Sequence, residues 1–597
     1  MTVIEVPVLI VGGGVVGMSA SMMLAKHGIE SLLVTYYPGT SPHPKSHILN
    51  QRTMEIFTEL GVADDIYAVA TPPNRMKYAG WFSGLAGNDD RYGREIGRVE
   101  AWGVGYTDPD YIAASPCRSA NYPQMYLEPI IKRHAERLSP GRVRFFHEML
   151  GLEQDADGVE AIVLNRETRQ RFKVRSKYLF GADGGKTVGR MVGIAMTGQP
   201  TTMRMVSVHF GADLSRWAHG PDVMTRFLIN PDFGGSWASG VLIPEGPTRW
   251  GNETEEWVFH SRYTSDDPGP IDPATVLARM KLVLGFDVIG VEPIVHNVSE
   301  WAMGGKLADR YRAGRVFLLG DSCHQHPPTG GLGMNSGVQD AYNLCWKIAA
   351  VLDGRARDAL LDSYEVERRP VAANNVEVAM GNAMHHFRID EAIGLSEKNS
   401  VEENWARLAA IWNEHPAEDL PRAQSLHEQL AKAIAAQRIG FRHHNVEFGY
   451  TYKAGALVPD DTPEPVALDP ILIYEPATRP GHPLPHAWVQ RTGKPVPLAS
   501  LIDGTHFLLI AGEDGRDWVD AVQQVGTARN LPLRALCLGL HDGDWLDIRG
   551  TWLRLRGIGR RGAVLVRPDH YVAYRSASAV ADPHGTLQAV FRTILSG

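Results

Sequence analysis

Gly12, Gly14 and Gly17 form GxGxxG between an apolar run, Val6 to Val11, and a helical stretch from Val15 to His27. Such a turn lets the backbone come close to a pyrophosphate, which then rests on the free N–H groups around Gly12, Gly14, Val15, Val16 and Gly17. The acidic residue that would hold both ribose hydroxyls at the end of the second strand (Ser31 to Val34) is missing, and Thr35, Tyr36 and Tyr37 stand there instead. One hydroxyl in place of a carboxylate weakens an NAD reading more than an FAD reading, because FAD can take further anchors along the chain.

Two such anchors are visible. Gly181-Ala182-Asp183-Gly184 follows the apolar strand Tyr178 to Phe180, and Arg315 to Asn335 contains Gly320-Asp321, Pro327-Pro328 and Gly330-Gly331-Leu332-Gly333-Met334-Asn335. A helix predicted over 335–353 carries Val338, Ala341, Leu344, Cys345, Ile348 and Val351 on one stripe, with Gly354 after its end. Its N-terminus would offer N–H donors and a positive dipole end to an anionic ring. Asp183 reads plainly as a turn aspartate capping the next helix, and functionally as part of a cofactor motif with Arg190 in register. His324 and His326 have no carboxylate or third ligand beside them in the sequence, so no metal site is expected.

The elements that must position these residues follow from composition. The 597 residues, 44% hydrophobic, 21% charged and with a formal net charge of −8, give two to four globular domains and no nucleic-acid surface. Four cysteines without a CxxC pair suit a reducing cytoplasm, and no apolar stretch suggests stable membrane association. Val206 to Phe210, Arg226 to Asn230, Trp237 to Ile243 and Trp257 to Tyr263 read as strands of a second domain. Arg226 and Trp237 are candidate substrate-binding residues there, with an exposed ion pair and a core tryptophan as the plainer readings. Glu403, Trp405, Leu408 and Ile411 have helical spacing. Beyond Gly449 a Pro-rich stretch leads into strands at His506 to Ala511, Leu533 to Leu538 and Ala563 to Arg567 and a helix over 517–525.

In this order and spacing, GxGxxG, the GADG motif, Arg315 to Asp321 and the run from His324 to Lys347 resemble the single-component FAD-dependent aromatic hydroxylases, typified by para-hydroxybenzoate hydroxylase and phenol hydroxylase. Gln124 in Pro-Gln-Met-Tyr-Leu-Glu, Ser363 to Pro370, and the tail Gly562 to Asp569 with Tyr571 and Val572 match as well. His47 to Glu55 is most similar to the 2,4-dichlorophenol hydroxylase group of the phenol hydroxylase branch. The resemblance implies an α/β, para-hydroxybenzoate-hydroxylase-like fold. A discontinuous Rossmann-type FAD domain (1–80, 111–200, 296–395) is interrupted by a β-sheet substrate domain (81–110, 201–295). A helical bridge (396–448) and a thioredoxin-like C-terminal domain without CxxC (449–597) follow.

The resemblance also implies roles. Asp321 would hold the ribityl chain, Gln124, Lys45, Arg52 and Thr35 would lie by the cofactor, and the Gly333-Met334-Asn335 backbone would face the flavin pyrimidine with Pro328 over the reactive face. Asp183 belongs to the motif serving both FAD and the nicotinamide donor. His47 falls where the pattern has an acidic residue, and an imidazole near its ordinary pKa of ~6.5 could take a phenolic proton. The activity implied is NAD(P)H- and O2-consuming hydroxylation of a phenol ortho or para to its hydroxyl through a flavin C4a-hydroperoxide. The alternatives are tailoring or inactivation of a larger hydroxylated heteroaromatic, pyridine-type or polyketide compound, and a non-catalytic flavin-binding assembly module. Homo-oligomerisation through the C-terminal or sheet domain is the expected partnership besides the small aromatic substrate.

Overall fold

The computed structural model describes residues 2–198, 203–263, 271–413, 416 and 418–595. Val3–Val11 is the centre of an eight-stranded sheet, flanked in parallel by Arg171–Gly181 and Ser31–Val34. Its last residues are fully apolar because they are buried in the core into which Val15–Lys26 and Leu332–Leu352 also pack. These two helices meet where Gly337 has no side chain: a Cβ there would stand 2.5 Å from Val16 and 3.1 Å from the Gly320 backbone. The close approach brings their N-termini to one side of the sheet, at the carboxyl ends of its parallel strands.

The long helix begins at Leu332, three residues earlier than the expected 335. Gly331, at φ 64, caps it, a conformation that marks the turn into the helix and that the apolar stripe could not reveal.

A seven-stranded sheet forms the second layer, in the order Ile294–Met303, Met203–Gly211, Glu256–Tyr263, Val241–Gly246, Val223–Leu228, Tyr78–Phe82 and Glu95–Glu100. The expected divisions at 80/81 and 295/296 fall within Tyr78–Phe82 and Ile294–Met303, which belong whole to this sheet. The strand expected over 237–243 is also corrected. Ser236–Ser239 is a helical turn, and the strand starts at Val241. Gly234, Gly235 and Gly240 all have positive φ, and Asp390 accepts the Ser236 N–H and hydroxyl, so the chain turns where alternation alone reads extended.

Val401–Ala409 opens on a Ser400/Glu403 capping box, and with Leu420–Ala436 it covers one face of the sheet through Trp405, Leu408, Leu430 and Ala433. The C-terminal part is a five-stranded sheet with helices Arg516–Arg529 and Pro583–Ile594 on one face. It docks on the long helix through Trp346 and a buried ionic network. Arg567 donates to Glu367 at 2.7 and 2.9 Å and to Asp569, while Lys347 donates to Glu367 at 2.7 Å. Burial alone would raise the Glu367 carboxyl, but Arg567 and Lys347 outweigh it and bring it down to about 2. No helix among the described residues is long and apolar enough to cross a membrane.

Candidate active site

The glycine turn is built as its spacing requires. Gly12 sits at φ +127 with its Cβ position 2.0 Å from the Ala182 carbonyl, so the turn and the GADG segment pack backbone to backbone. The first helix has no side-chain cap and no acidic residue in its first turn, which leaves its N–H groups to an outside anion. Thr35 lies buried at the end of Ser31–Val34, against the position a Gly13 side chain would take.

Asp321 is exposed by surface area yet walled in by protein, the signature of a group lining an internal groove. That burial raises its carboxyl above the usual range, with His324 and Lys45 pulling the other way, and no side-chain hydrogen bond within the described protein satisfies it. Lys45, at φ 49, is thus near enough to Asp321 to act on its carboxyl electrostatically. Pro328 is exposed, and the uncapped N-terminus of Leu332–Leu352 follows with Gly333 and Met334 in its first turn. An open carboxylate, two unsatisfied helix N-termini and a glycine cradle are the donor and acceptor set that a dinucleotide with a ribityl chain requires.

Other expected cofactor residues have side chains engaged within the protein. Asp183 spends both carboxylate oxygens inside the protein, accepting from Thr187 N at 2.6 Å, Thr187 Oγ1 at 2.7 Å, Val188 N at 3.0 Å and Ser322 Oγ at 2.9 Å. Burial would raise it, but these hydrogen bonds hold it below the carboxylate range; the plainer turn-capping reading describes this geometry. The Asn335 side chain donates to Ile48 O at 3.0 Å and Gly331 O at 2.7 Å and accepts from Asn50 N at 3.0 Å, so it pins the His47 loop to the long helix. Gln124 anchors the same loop through its N–H to Ser46 O at 2.8 Å and gives its side chain to Glu128. Arg52 is 3% exposed, paired with Glu55 at 2.6 Å and set over the Phe448 ring.

His47 is partly exposed by area but enclosed, so it too lines a cavity. Its Nδ1 lies 2.7 Å from Asn121 Oδ1, and Asn121 Nδ2 donates to Thr71 Oγ1 at 2.6 Å. Burial pulls the imidazole down to about 4 against the opposing Asn121 hydrogen bond, in place of the ordinary value expected from sequence. At neutral pH the ring is uncharged, with a proton on Nδ1 and a lone pair on Nε2.

The sheet register settles Arg226. Trp81, Phe227, Val241, His260, Ser207 and Ser299 are successive partners across five strand pairings and share one face. Ile48, next to His47, packs in the cluster that holds Trp81 and Phe227, so this face looks toward the His47 loop. Arg226 is one residue off that row, with Leu242, Phe259 and Val208, and points to the other face. It is buried rather than exposed, makes no ion pair among the described residues, donates from Nη2 to Gly220 O at 2.9 Å, and burial lowers it to about 9. The exposed ion pair expected for Arg226 is therefore corrected, and its side chain lies on the sheet face opposite the row that holds His260. The Trp237 side chain lies outside the described residues.

The fold gives His324 a carboxylate neighbour that is distant in sequence: Asp340, sixteen residues on, accepts from His324 Nε2 at 2.7 Å, and Cys323 lies close enough to complete a group of three potential ligands. Asp340 is also bound by Arg368 Nε at 2.8 Å and the Gly320 N–H at 3.1 Å, which gives it a cationic partner already. A second such group, His209, Glu256 and His296, stands on the sheet, with Tyr126 donating to Glu256 at 2.6 Å. Neither set has a signature in the linear spacing. The same holds for Asn121, Ser207 and His260, which strand pairing alone brings to the cavity.

An interrupted parallel sheet with a glycine cradle, a groove ending at an uncapped helix and an enclosed histidine opposite a mixed sheet fit a flavin-dependent hydroxylase. The chain matches the FAD binding domain family over residues 5–379 and the aromatic-ring hydroxylase C-terminal family over 477–596. It belongs to the FAD-dependent aromatic-ring hydroxylases and is a monooxygenase that uses FAD, NAD(P)H and O2. It is 36% identical to 2,4-dichlorophenol 6-monooxygenase of Cupriavidus pinatubonensis (strain JMP 134 / LMG 1197), covering 99% of this chain and 96% of that protein. Its structure is similar to the flavin-dependent monooxygenase PieE in complex with FAD and substrate, with a TM-score of 0.89 and 37% identity over 99% of both chains. Aklavinone-11 hydroxylase with FAD and aklavinone superposes with a TM-score of 0.78 and 30% identity over 100% of both chains.

Proposed function

We propose that the protein hydroxylates a simple phenol beside its existing hydroxyl, with His47 as the group that receives the phenolic proton. The observation that carries this is the open Nε2 of a neutral, enclosed histidine whose other nitrogen is committed to Asn121. FAD, reduced by NAD(P)H and reacted with O2, supplies the electrophilic oxygen. The Gly12–Gly17 turn, Asp321, Lys45 and the N-terminus of Leu332–Leu352 hold it, and the Asn335 clamp keeps the His47 loop against that helix. A base held near 4 accepts a hydrogen bond from the ground-state phenol and takes the proton only as positive charge develops on the ring. Enclosure keeps water from the reacting atoms.

Likeness to PieE and aklavinone-11 hydroxylase supports a second reading, a larger polycyclic phenol. A panel of phenols, polycyclic phenols and hydroxypyridines, scored by stimulation of NAD(P)H oxidation and by product mass, separates the two. His47→Ala should keep bound FAD and lose at least ~10²-fold in hydroxylation, the usual worth of a positioned base. Unchanged product formation in that variant would refute the assignment. We further propose a cytoplasmic enzyme, where its four free cysteines stay reduced, and self-association through the sheet or C-terminal part.

A further inference from the structure

Two histidines from different elements, one on the loop that faces the sheet and one on the sheet row turned toward that loop, are near enough to repel one another's protons and have opposite hydrogen-bonding character. Asn121 Oδ1 only accepts, so His47 carries its proton on Nδ1 and offers a lone pair on Nε2. On the facing sheet, His260 Nδ1 lies 2.7 Å from Ser207 Oγ, which also accepts the Trp301 indole N–H at 2.8 Å. Among the described residues the Ser207 proton has no other acceptor than the His260 nitrogen. Ser207 therefore donates to Nδ1, and His260 carries its proton on Nε2. Neither Nε2 has a partner among the described residues, and both rings are partly exposed within an enclosed space. Burial lowers His260 to about 4, and a proton on His47 works against one on His260, as expected of neighbours.

We propose that His47 and His260 read the substrate hydroxyl as a pair: the phenolic O–H donates to His47 Nε2 while the same oxygen accepts the His260 Nε2–H. Asn121 and Ser207 are the positioning residues that fix the two tautomers. On reaction the O–H bond breaks and its proton ends on His47 Nε2; the freed pair makes the oxygen carbonyl-like as a ring carbon forms its bond to the electrophilic oxygen that reduced, O2-reacted FAD would supply, and the pair of the broken O–O bond would stay with that donor. His260 keeps its proton and stabilises the oxygen throughout. The pair accepts a group that both donates and accepts, and it rejects an ether, which cannot donate, and an aromatic amine, which accepts poorly.

This pairing rests on the phenol reading above. The test uses FAD-loaded protein with 2,4-dichlorophenol, its methyl ether and 2,4-dichloroaniline, with binding read from perturbation of the flavin spectrum and bound FAD per chain as the folding control. Wild type should bind the phenol about tenfold or more tighter than either analogue, the worth of one buried polar group left unpaired. His260→Phe should bring the phenol down to the level of the amine and leave the amine unchanged. His47→Phe should bring the phenol down to the ether and leave the ether unchanged. His260→Gln, which keeps an N–H donor, should recover part of the phenol affinity, and Ser207→Ala should lose part of it with His260 intact. Equal weakening of all three ligands in His260→Phe, or unchanged phenol binding, would overturn the pair. A wild type that ignores the phenol altogether removes the phenol reading itself, and the pair with it.

Discussion

Acid should unfold this protein through its histidines before most of its carboxylates are protonated. Besides His47 and His260, burial lowers His27, His386, His482 and His486 to about 4 and His444 to about 3. In the unfolded chain each returns to ~6.5, so between these values the unfolded state binds more protons and stability falls as pH falls. Taking a ring from ~6.5 to about 4 costs about 1.8 kcal/mol of stability between pH 7 and pH 5. The five together cost about 9 kcal/mol, comparable to a whole domain's stability. Asp390, raised to about 6 by burial, works in the opposite sense and returns about 1.3 kcal/mol. Urea titrations of the FAD-loaded protein at pH 7, 6 and 5, followed by far-UV circular dichroism and flavin fluorescence, should show the midpoint falling with pH, most steeply between 6 and 5. His386→Phe, which keeps an aromatic ring against Phe227, should flatten that dependence by about one histidine's share. A midpoint that stays constant from pH 7 to 5 would refute the assignment of these rings as neutral.

Three further outcomes follow from the geometry. Arg567→Met leaves Glu367 and Asp569 buried with only Lys347 for compensation and should destabilise the C-terminal part by about 3–5 kcal/mol, read by urea denaturation and faster proteolysis after residue 449. Asp321→Ala removes the open carboxylate of the groove and should weaken FAD binding by about 10- to 100-fold in a fluorescence titration, with the fold intact by circular dichroism. Gly12→Ala drives a Cβ to 2.0 Å from the Ala182 carbonyl, so the protein should purify largely without flavin absorbance.

The local grammar of the chain fixed a good deal. A strand, three glycines at set spacing and a helix need no long-range information to form a phosphate-binding turn, and that turn is where the motif put it. The order of the later motifs was enough for the family and the cofactor, since Asp321, Pro328 and the helix start are close in sequence and close in space. Their individual duties were less legible. Asp183 and Asn335 carry polar groups suited to a ligand, yet the protein's own N–H and carbonyl groups claim them, and only three-dimensional bookkeeping of donors and acceptors reveals that.

What the tertiary structure alone decided is which side chains share the cavity and in what state. A strand alternates faces every residue, so Arg226 and Phe227 are equal candidates until pairing puts Phe227 in the row of His260 and Ser207 and turns Arg226 away. Position 47 was visible as a histidine in a telling place, but its depressed basicity and fixed tautomer come from burial and from Asn121, seventy-four residues on. Sequence carries residue type and local spacing; proton position and desolvation depend on everything packed around the group, which the chain acquires only on folding.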